Sequence, residues 1–206
     1  MDDCDYEELV ARMLDAAVDA AEEGNYEEAS ECFRALLEVS ESGDFRSYCL
    51  LSLGRVQEKL QEWAAALEWY LEALALDQGD EETRYFLSNN AGYCMNRLGR
   101  HAEAEALCRA AVSIDPERPN AWKNLGIALE GLGRWSAAAS SYLEATEVCP
   151  EDARSLHLLE RLIDSRPQAA DGVADYASRI VECRKAAEMA GERRTHGTAP
   201  CTGGRP

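Results

Sequence analysis

Small, apolar and aromatic side chains recur along this chain at fixed helical spacings. Counted from four small lead residues, alanine follows after 12 positions, a bulky or apolar side chain after 16, and alanine or leucine after 19. Positions 12, 16 and 19 share one face of a helix, so each set describes two packed helices. The lead residues are Ala17, Gly54, Gly92 and Gly126, at steps of 37, 38 and 34 positions. The pattern predicts an all-α chain of helical hairpins, each packed against the next.

Turn-forming residues separate the predicted helices. Leu-Gly-Arg at 98–100 and at 132–134 ends the first helix of a hairpin with a glycine suited to a left-handed cap. Pro116 and Pro150 follow second helices, where a missing N–H is tolerated. After an acidic lead-in at 1–9, four repeats are predicted within residues 10–152, at 10–43, 47–80, 85–118 and 119–152.

The pattern weakens in the last quarter of the chain. Residues 153–164 and 169–190 have helical periodicity and are separated by a Ser-Arg-Pro break. We interpret residues 153–190 as a degenerate hairpin that caps the stack, with charged positions such as Arg179 facing the solvent. Residues 191–206 are rich in Gly, Thr, Pro and Arg without apolar periodicity, so we expect a disordered tail.

The repeats resemble the tetratricopeptide repeat family. Residues 119–152 match its pattern of Trp, Leu-Gly, a large apolar residue, Ala, an aromatic residue, Ala and Pro, at Trp122, Leu125-Gly126, Leu129, Ala138, Tyr142, Ala145 and Pro150. The other repeats keep most of these positions, with departures such as Ser88 for Trp and Cys108 for the aromatic residue. The resemblance implies a right-handed solenoid of stacked helical hairpins, a superhelix with a C-terminal capping helix pair. Solenoids of this family usually work by holding other protein chains.

Two glycines of the fourth repeat are expected to tolerate substitution differently. Gly126 holds a position where the two helices of the hairpin touch, so a larger side chain there should overpack the contact. Gly131 lies farther along, and alanine there should be mild or stabilising if the residue is helical.

The net charge of −18 is concentrated at the start of the chain. Residues 1–46 contain 15 acidic and 3 basic residues, whereas residues 153–206 contain 7 and 9. This distribution argues against general nucleic-acid binding, which needs a basic surface. We interpret the acidic start as a solvated face that keeps the chain soluble. The alternative is a dedicated site for a basic partner.

The N-terminal sequence and the cysteine spacing indicate a reducing compartment. Residues 1–5 lack the basic start and apolar core of a signal peptide, and no apolar run approaches the ~20 residues that span a bilayer. The eight cysteines include no C-x-x-C pair. They are expected to be mostly buried free thiols without a structural disulfide. The chain is therefore predicted to be cytoplasmic, with no membrane insertion.

No sequence motif predicts catalysis. The phosphate-binding, zinc-protease, nucleophile-elbow and dinucleotide motifs are all absent from the sequence. His101 occupies the position that Tyr26, Trp63 and Trp135 fill in the other repeats, so we interpret it as a packing residue. His157 and His196 have no partner at metal-ligand spacing. The chain is predicted to be no enzyme and to hold neither cofactor nor metal.

The resemblance places a binding groove along the first helices of the hairpins. In the family, the residues two before and one after the lead glycine point into a concave groove. The groove residues implied here are Tyr48, Arg55, Asn89, Asn90, Tyr93, Arg97, Lys123, Asn124 and Ile127. Asparagine amides donate and accept hydrogen bonds, so Asn90 and Asn124 could pair with a peptide backbone, unless they are merely solvated. The three basic residues predict a preference for an acidic peptide.

The predicted function is a non-enzymatic protein–protein interaction module that binds a partner peptide or segment in this groove. The clamp by which some relatives capture a terminal carboxylate is incomplete, because Leu158 stands where a base is needed. One alternative is a small acidic chaperone resembling the tetratricopeptide chaperones of bacterial secretion. A third possibility is a regulatory subunit of an enzyme.

Overall fold

Helices are the only regular secondary structure over residues 3–39 and 41–195, which are the residues that the structure, a computed structural model, describes. The chain divides into two compact units, unit 1 at residues 1–94 and unit 2 at residues 95–206. In chain order the helices are α1 (Asp3–Glu23), α2 (Tyr26–Val39), α3 (Gly43–Lys59), α4 (Trp63–Leu76), α5 (Glu81–Arg97), α6 (His101–Ile114), α7 (Pro119–Gly131), α8 (Trp135–Val148), α9 (Ala153–Ser165), the 3-10 helix η1 (Pro167–Gly172) and α10 (Tyr176–Thr195). The predicted all-α class of stacked helical hairpins is confirmed.

The core of unit 1 forms where α1, α2 and α3 pack together. Consecutive helices are in contact from α1 through α4. The positions that define the repeat are buried there: Ala17, Ala29 and Leu36 have no exposed surface, and Phe33 is nearly enclosed. Stacking neighbours thus buries apolar stripes that a single hairpin would leave exposed.

The core of unit 2 lies between α7, α8, α9 and α10. It buries Leu125, Leu129, Tyr142, Leu159 and Ile180 in one cluster. The ring of Tyr142 lies directly on Gly126, so that a Cβ added at Gly126 would stand 2.5 Å from Cδ1 of the tyrosine. The lead glycine therefore allows α7 and α8 to approach as closely as they do.

The prediction that Gly131 tolerates alanine is wrong. A Cβ at Gly131 would stand 2.5 Å from Nε2 of His101, closer than van der Waals contact allows. The half-buried His101 ring is fixed nearby, because its Nδ1 lies 3.2 Å from Oδ1 of Asn96. His101 packs between α6 and the end of α7, which agrees with its interpretation as a packing residue.

The C-terminal helix begins later than its periodicity indicates. The predicted helix at 169–190 is interrupted: η1 ends at Gly172, and α10 starts at Tyr176. Val173 between them has extended dihedral angles and a buried side chain within the unit 2 core. Asp175 adopts a left-handed conformation with a φ of 52°. α10 continues to Thr195, beyond the start of the predicted tail, and residues 196–206 lie outside the described residues.

The expected solvent-facing role of Arg179 is also wrong. Its guanidinium lies 2.6 Å from carboxylate oxygens of both Glu144 and Glu147 on α8. Arg184 similarly pairs with Glu160 of α9 at 2.9 Å. Arg179 is therefore half-buried against α8, whereas Arg184 is exposed and forms its ion pair at the surface.

The six cysteines whose side chains the structure describes are free thiols, and all of them except the half-buried Cys32 are buried: Cys32, Cys49, Cys94, Cys108, Cys149 and Cys183. Cys49, Cys94 and Cys108 have no exposed surface. Burial raises the pKa of the Cys49 and Cys108 thiols to about 12, with the Arg46 charge opposing the rise at Cys49. These side chains are therefore protonated at neutral pH and act as small apolar groups.

Candidate functional site

The first helices of unit 1 present one mixed polar and aromatic face. Tyr48 and Arg55 of α3 lie seven positions apart, and so do Phe86 and Tyr93 of α5. The Arg55 guanidinium lies over the Phe86 ring, 4.7 Å from its centroid, where the ring quadrupole attracts the cation. Tyr48 is 37% exposed. We call Tyr48, Arg55, Phe86, Asn90 and Tyr93 the first-helix face of unit 1.

Asn90 in the middle of this face is held from two sides. Asn89 is buried, and its Nδ2 donates to Oδ1 of Asn90 at 3.0 Å. The Asn90 side chain also hydrogen-bonds the Tyr70 hydroxyl. Tyr93 stands edge-on to Trp63, with ring centroids 5.6 Å apart. Arg55, Asn90 and Tyr93 are therefore held by neighbouring side chains, whereas Asn89 is buried and Tyr48 is exposed.

A carboxylate that the sequence analysis missed, that of Glu58, lies close to Arg55 of this face. Oε1 of Glu58 accepts hydrogen bonds from the Tyr70 hydroxyl at 2.7 Å and from the Cys94 thiol at 3.8 Å. Burial raises the pKa of Glu58, and the two hydrogen bonds and the charges of Arg55 and Lys59 oppose that rise without cancelling it.

A signal for Glu58 was present in the repeat itself. Glutamate follows the lead glycine by four positions in the two repeats whose bulky residue is tyrosine. The second such pair is Glu130 and Tyr142, whose hydroxyl donates to Oε2 of Glu130 at 2.8 Å. Where the bulky residue is Phe33 or Cys108, no glutamate stands at that position. A buried tyrosine hydroxyl needs an acceptor, and the glutamate supplies it.

The basic residue predicted for unit 2 is already neutralised. Nζ of Lys123 lies 2.6 Å from Oδ1 of Asn120 and 3.5 Å from Oδ2 of Asp152. Burial and the charge of Arg154 lower the pKa of Lys123, and Asp152 opposes that change. The expectation that Lys123 supplies positive charge to the groove is therefore wrong, because Asp152 pairs with it. Asp152 is 29 positions away in sequence, so local sequence does not reveal this pair.

The other residues predicted for unit 2 differ in exposure. The Asn124 residue is only 5% exposed, and its carbonyl oxygen accepts from Nδ2 of Asn96 at 2.8 Å. Asn124 is therefore buried and is not a solvated residue of the groove surface. Ile127 packs against the unit 2 core, whereas Arg97 is exposed. Over the described residues, no group of three His, Cys, Asp or Glu side chains could hold a metal ion.

Neutralising Glu58 should change how stability depends on pH. Because burial raises its pKa in the folded state, the folded chain holds the proton more tightly than the unfolded chain. The stabilisation of the fold by protonated Glu58 is thus present at low pH and is lost as the pH rises through the pKa of Glu58 in the folded state. Glu58→Gln keeps an acceptor for Tyr70, so urea unfolding should show the variant gaining on the wild type between about pH 4 and about pH 7.

The matched control is Glu68→Gln, which removes one charge from an exposed position on α4. Its stability relative to the wild type should change less over the same pH range. Equal pH dependence in both variants would show that the net charge of the chain, and not the burial of Glu58, is responsible.

The sequence matches the profile of the tetratricopeptide repeat family over residues 9–79 and 84–151. It is 25% identical over 127 residues to the heat shock protein sti1 homolog of Schizosaccharomyces pombe, covering 62% of this chain and 21% of that protein. It is 28% identical over 128 residues to the small glutamine-rich tetratricopeptide repeat-containing protein 2 of Mycosarcoma maydis, covering 62% and 34%. The chain thus spans about a fifth and about a third of these relatives.

Solved structures of low sequence identity have the same fold. A MamA fragment from Desulfovibrio magneticus RS-1 superposes with a TM-score of 0.69 at 16% identity, covering 85% of this chain and 95% of that one. YrrB, a tetratricopeptide protein with an unusual peptide-binding site, superposes with a TM-score of 0.62 at 15% identity, covering 89% and 90%. None of the helices in the described ranges is long and apolar enough to cross a bilayer. The repeats form a protein–protein interaction module, and with two thirds of its length matched by the family profile, this chain belongs to the tetratricopeptide repeat family.

Proposed function

We propose that the chain binds an extended segment of a partner protein on the first-helix face of unit 1. The observation that carries the proposal is the ordered state of that face. Arg55 is stacked on Phe86, and Asn90 is held between Asn89 and Tyr70. Side chains that are already fixed lose little conformational entropy when a ligand arrives, so their hydrogen bonds contribute more fully to affinity.

Asn90 recognises the backbone of the bound peptide through hydrogen bonds of its side-chain amide. An asparagine amide has two N–H donors and an oxygen with two lone pairs. One lone pair accepts from Asn89 and one N–H serves Tyr70, so one donor and one acceptor remain for the partner. A backbone amide of an extended peptide offers the complementary pair. Tyr48 and Tyr93 on either side provide apolar contact for its side chains.

The corresponding positions of unit 2 are less suited to a ligand. Lys123 and Asn124 are more enclosed than the corresponding residues of unit 1, and Ile127 offers only its partly exposed apolar edge. We therefore assign the proposed binding to unit 1. YrrB, whose peptide-binding site is described as unusual, has the same fold and supports a peptide ligand by analogy alone.

Asn90→Ala tests this proposal with peptides selected from a randomised library against the full chain. The variant should weaken binding of the selected peptides by about 1–3 kcal/mol, because it leaves the peptide backbone groups without their partner. Fluorescence anisotropy with labelled synthetic peptides measures the loss. The control is Glu72→Ala, an exposed position on the second helix α4, which should bind as the wild type does.

Crosslinking locates the bound peptide independently of affinity. A photoreactive phenylalanine derivative at the exposed position Tyr48 should crosslink to the peptide, and the same residue at Glu72 should not. Crosslinking from Glu72 alone, together with full affinity in Asn90→Ala, would place the peptide on the second helices and rule out the first-helix face.

A further inference from the structure

The Glu58 carboxylate is satisfied on one oxygen only. Both of its hydrogen bonds, from Tyr70 and from Cys94, reach Oε1. Oε2 accepts no hydrogen bond from any residue that the structure describes, and it is not completely buried. The thiol is a weak donor at 3.8 Å, so Tyr70 provides most of the stabilisation. The second oxygen of this half-buried carboxylate therefore still lacks a donor.

Unit 2 contains the same arrangement in completed form. Glu130 accepts from Tyr142 as Glu58 accepts from Tyr70. In addition, Nη2 of Arg161 donates to both oxygens of Glu130 at 2.8 Å. A buried tyrosine and an arginine together thus satisfy this carboxylate, with the arginine coming from the helix of the next hairpin, α9.

Unit 1 has a tyrosine where unit 2 has this arginine. Arg161 is the residue directly after the lead position of α9, the position that the lead glycine occupies in three of the earlier repeats. The corresponding residue of α5 is Tyr93, which follows Gly92 and packs against the Trp63 ring. Arg55 does not replace the missing arginine, because its guanidinium lies over Phe86 and forms no ion pair with Glu58. Lys59, the other nearby cation, is exposed.

Charge is strongly asymmetric between the units. Residues 1–94 contain 23 acidic and 6 basic residues, whereas residues 95–206 contain 16 and 15. Unit 1 therefore carries nearly all of the net charge of −18. A surface of this sign accelerates the approach of basic segments and disfavours acidic ones. The field around the first-helix face of unit 1 thus selects the same sign of partner charge as Glu58 does.

We propose that Glu58 receives an arginine side chain of the bound partner segment, whose guanidinium donates to Oε2 as Arg161 donates to Glu130. The proposal rests on binding at the first-helix face of unit 1. Arginine fits better than lysine, because its planar fork can address a carboxylate whose other oxygen already holds a tyrosine hydroxyl. At this place the partner is basic, in contrast to the acidic peptide that the three basic groove residues predict.

A neutral isostere of arginine tests the proposal. Peptides selected from a randomised library against the full chain are resynthesised with each arginine replaced by citrulline, which keeps the shape and removes the charge. The wild type and Glu68→Gln should bind one citrulline peptide about tenfold or more weakly than its arginine parent. Glu58→Gln, which keeps an acceptor for Tyr70, should bind both peptides alike and at the citrulline level.

A second variant builds the unit 2 arrangement into unit 1. Tyr93→Arg places a guanidinium at the position that corresponds to Arg161, where it should occupy Glu58 and remove the preference for arginine over citrulline. Thermal melting confirms that each variant is folded. The Tyr93→Arg result decides the matter if Glu58→Gln does not fold.

The outcomes separate the two proposals. If selected peptides bind the first-helix face without any basic residue, or if citrulline weakens binding equally in the wild type and in Glu58→Gln, the arginine site is overturned and peptide binding stands. If no peptide is enriched on the full chain, peptide binding at this face is overturned, and the arginine site with it.

Discussion

Replacing Gly126 by alanine should lower the free energy of unfolding by about 1–3 kcal/mol, and replacing it by leucine should prevent unit 2 from folding. The added Cβ would overlap the Tyr142 ring. That ring cannot move aside, because it has no exposed surface and its hydroxyl is bonded to Glu130. The α7–α8 pair would have to separate, which would open the unit 2 core. Urea unfolding followed by circular dichroism measures the loss.

Gly191→Ala is the matched control for this prediction. Gly191 lies within α10, and its φ is not positive. Apart from its chain neighbours and the backbone of its own helix, no atom of the described residues lies within 4 Å of the Cβ that alanine would add. The substitution should be neutral or stabilise the chain by up to about 1 kcal/mol, since alanine favours the helix. Equal effects of alanine at Gly126 and at Gly191 would mean that the ring of Tyr142 does not hold the two helices at this distance.

Replacing Ile180 by aspartate should destabilise unit 2 by about 3 kcal/mol or more, because it buries an unpaired carboxylate. Ile180 is 5% exposed and belongs to the cluster that contains Leu159 and Leu162. α10 would detach from α8 and α9 and leave their apolar surfaces open to solvent. Thermal melting should show the loss, and light scattering should show aggregation of the variant at lower temperature.

The neighbouring residue provides the control in the same turn of helix. Val181 is 46% exposed, so Val181→Asp adds the same charge to α10 and should change stability by no more than about 0.5 kcal/mol. Similar melting temperatures for the two aspartate variants would show that α10 does not cap the unit 2 core. The cap assigned to residues 153–190 would then have to be abandoned.

The repeat positions could be predicted from sequence because their spacing follows from helix geometry. Gly126 and Tyr142 are 16 positions apart, and the contact between them is the one that the spacing predicts. Val173 could not be placed in the same way. It satisfies helical periodicity with residues of α10, yet it reaches the same core from an extended segment. Periodicity records which side chains are buried and not the backbone conformation that buries them.

The candidate site was predictable only in part, because pairing between distant residues is invisible in local sequence. Lys123 was counted as a positive charge, and its partner Asp152 is brought to it by the fold. Glu58 was one of many acidic residues, which are mostly solvated in proteins. Glu58 differs from the other acidic residues named in unit 1 because a tyrosine 12 positions later, on the other helix of the same hairpin, hydrogen-bonds to it. The binding roles of Asn90, Arg55 and Tyr93 stay predictions.

In two repeats the glutamate four positions after the lead glycine is hydrogen-bonded to the tyrosine sixteen positions after it. This pairing limits how repeats of this chain can be recombined. Glu58 and Tyr70 lie on opposite sides of one hairpin turn, as do Glu130 and Tyr142. A crossover in that turn would create a hybrid hairpin in which a tyrosine faces Asn96, or one in which a glutamate faces Cys108. The buried hydroxyl or carboxylate would then have a different partner. A crossover between hairpins would keep each pair intact. The natural unit of exchange in this solenoid is therefore the whole hairpin, and a single helix is too small a part to transplant.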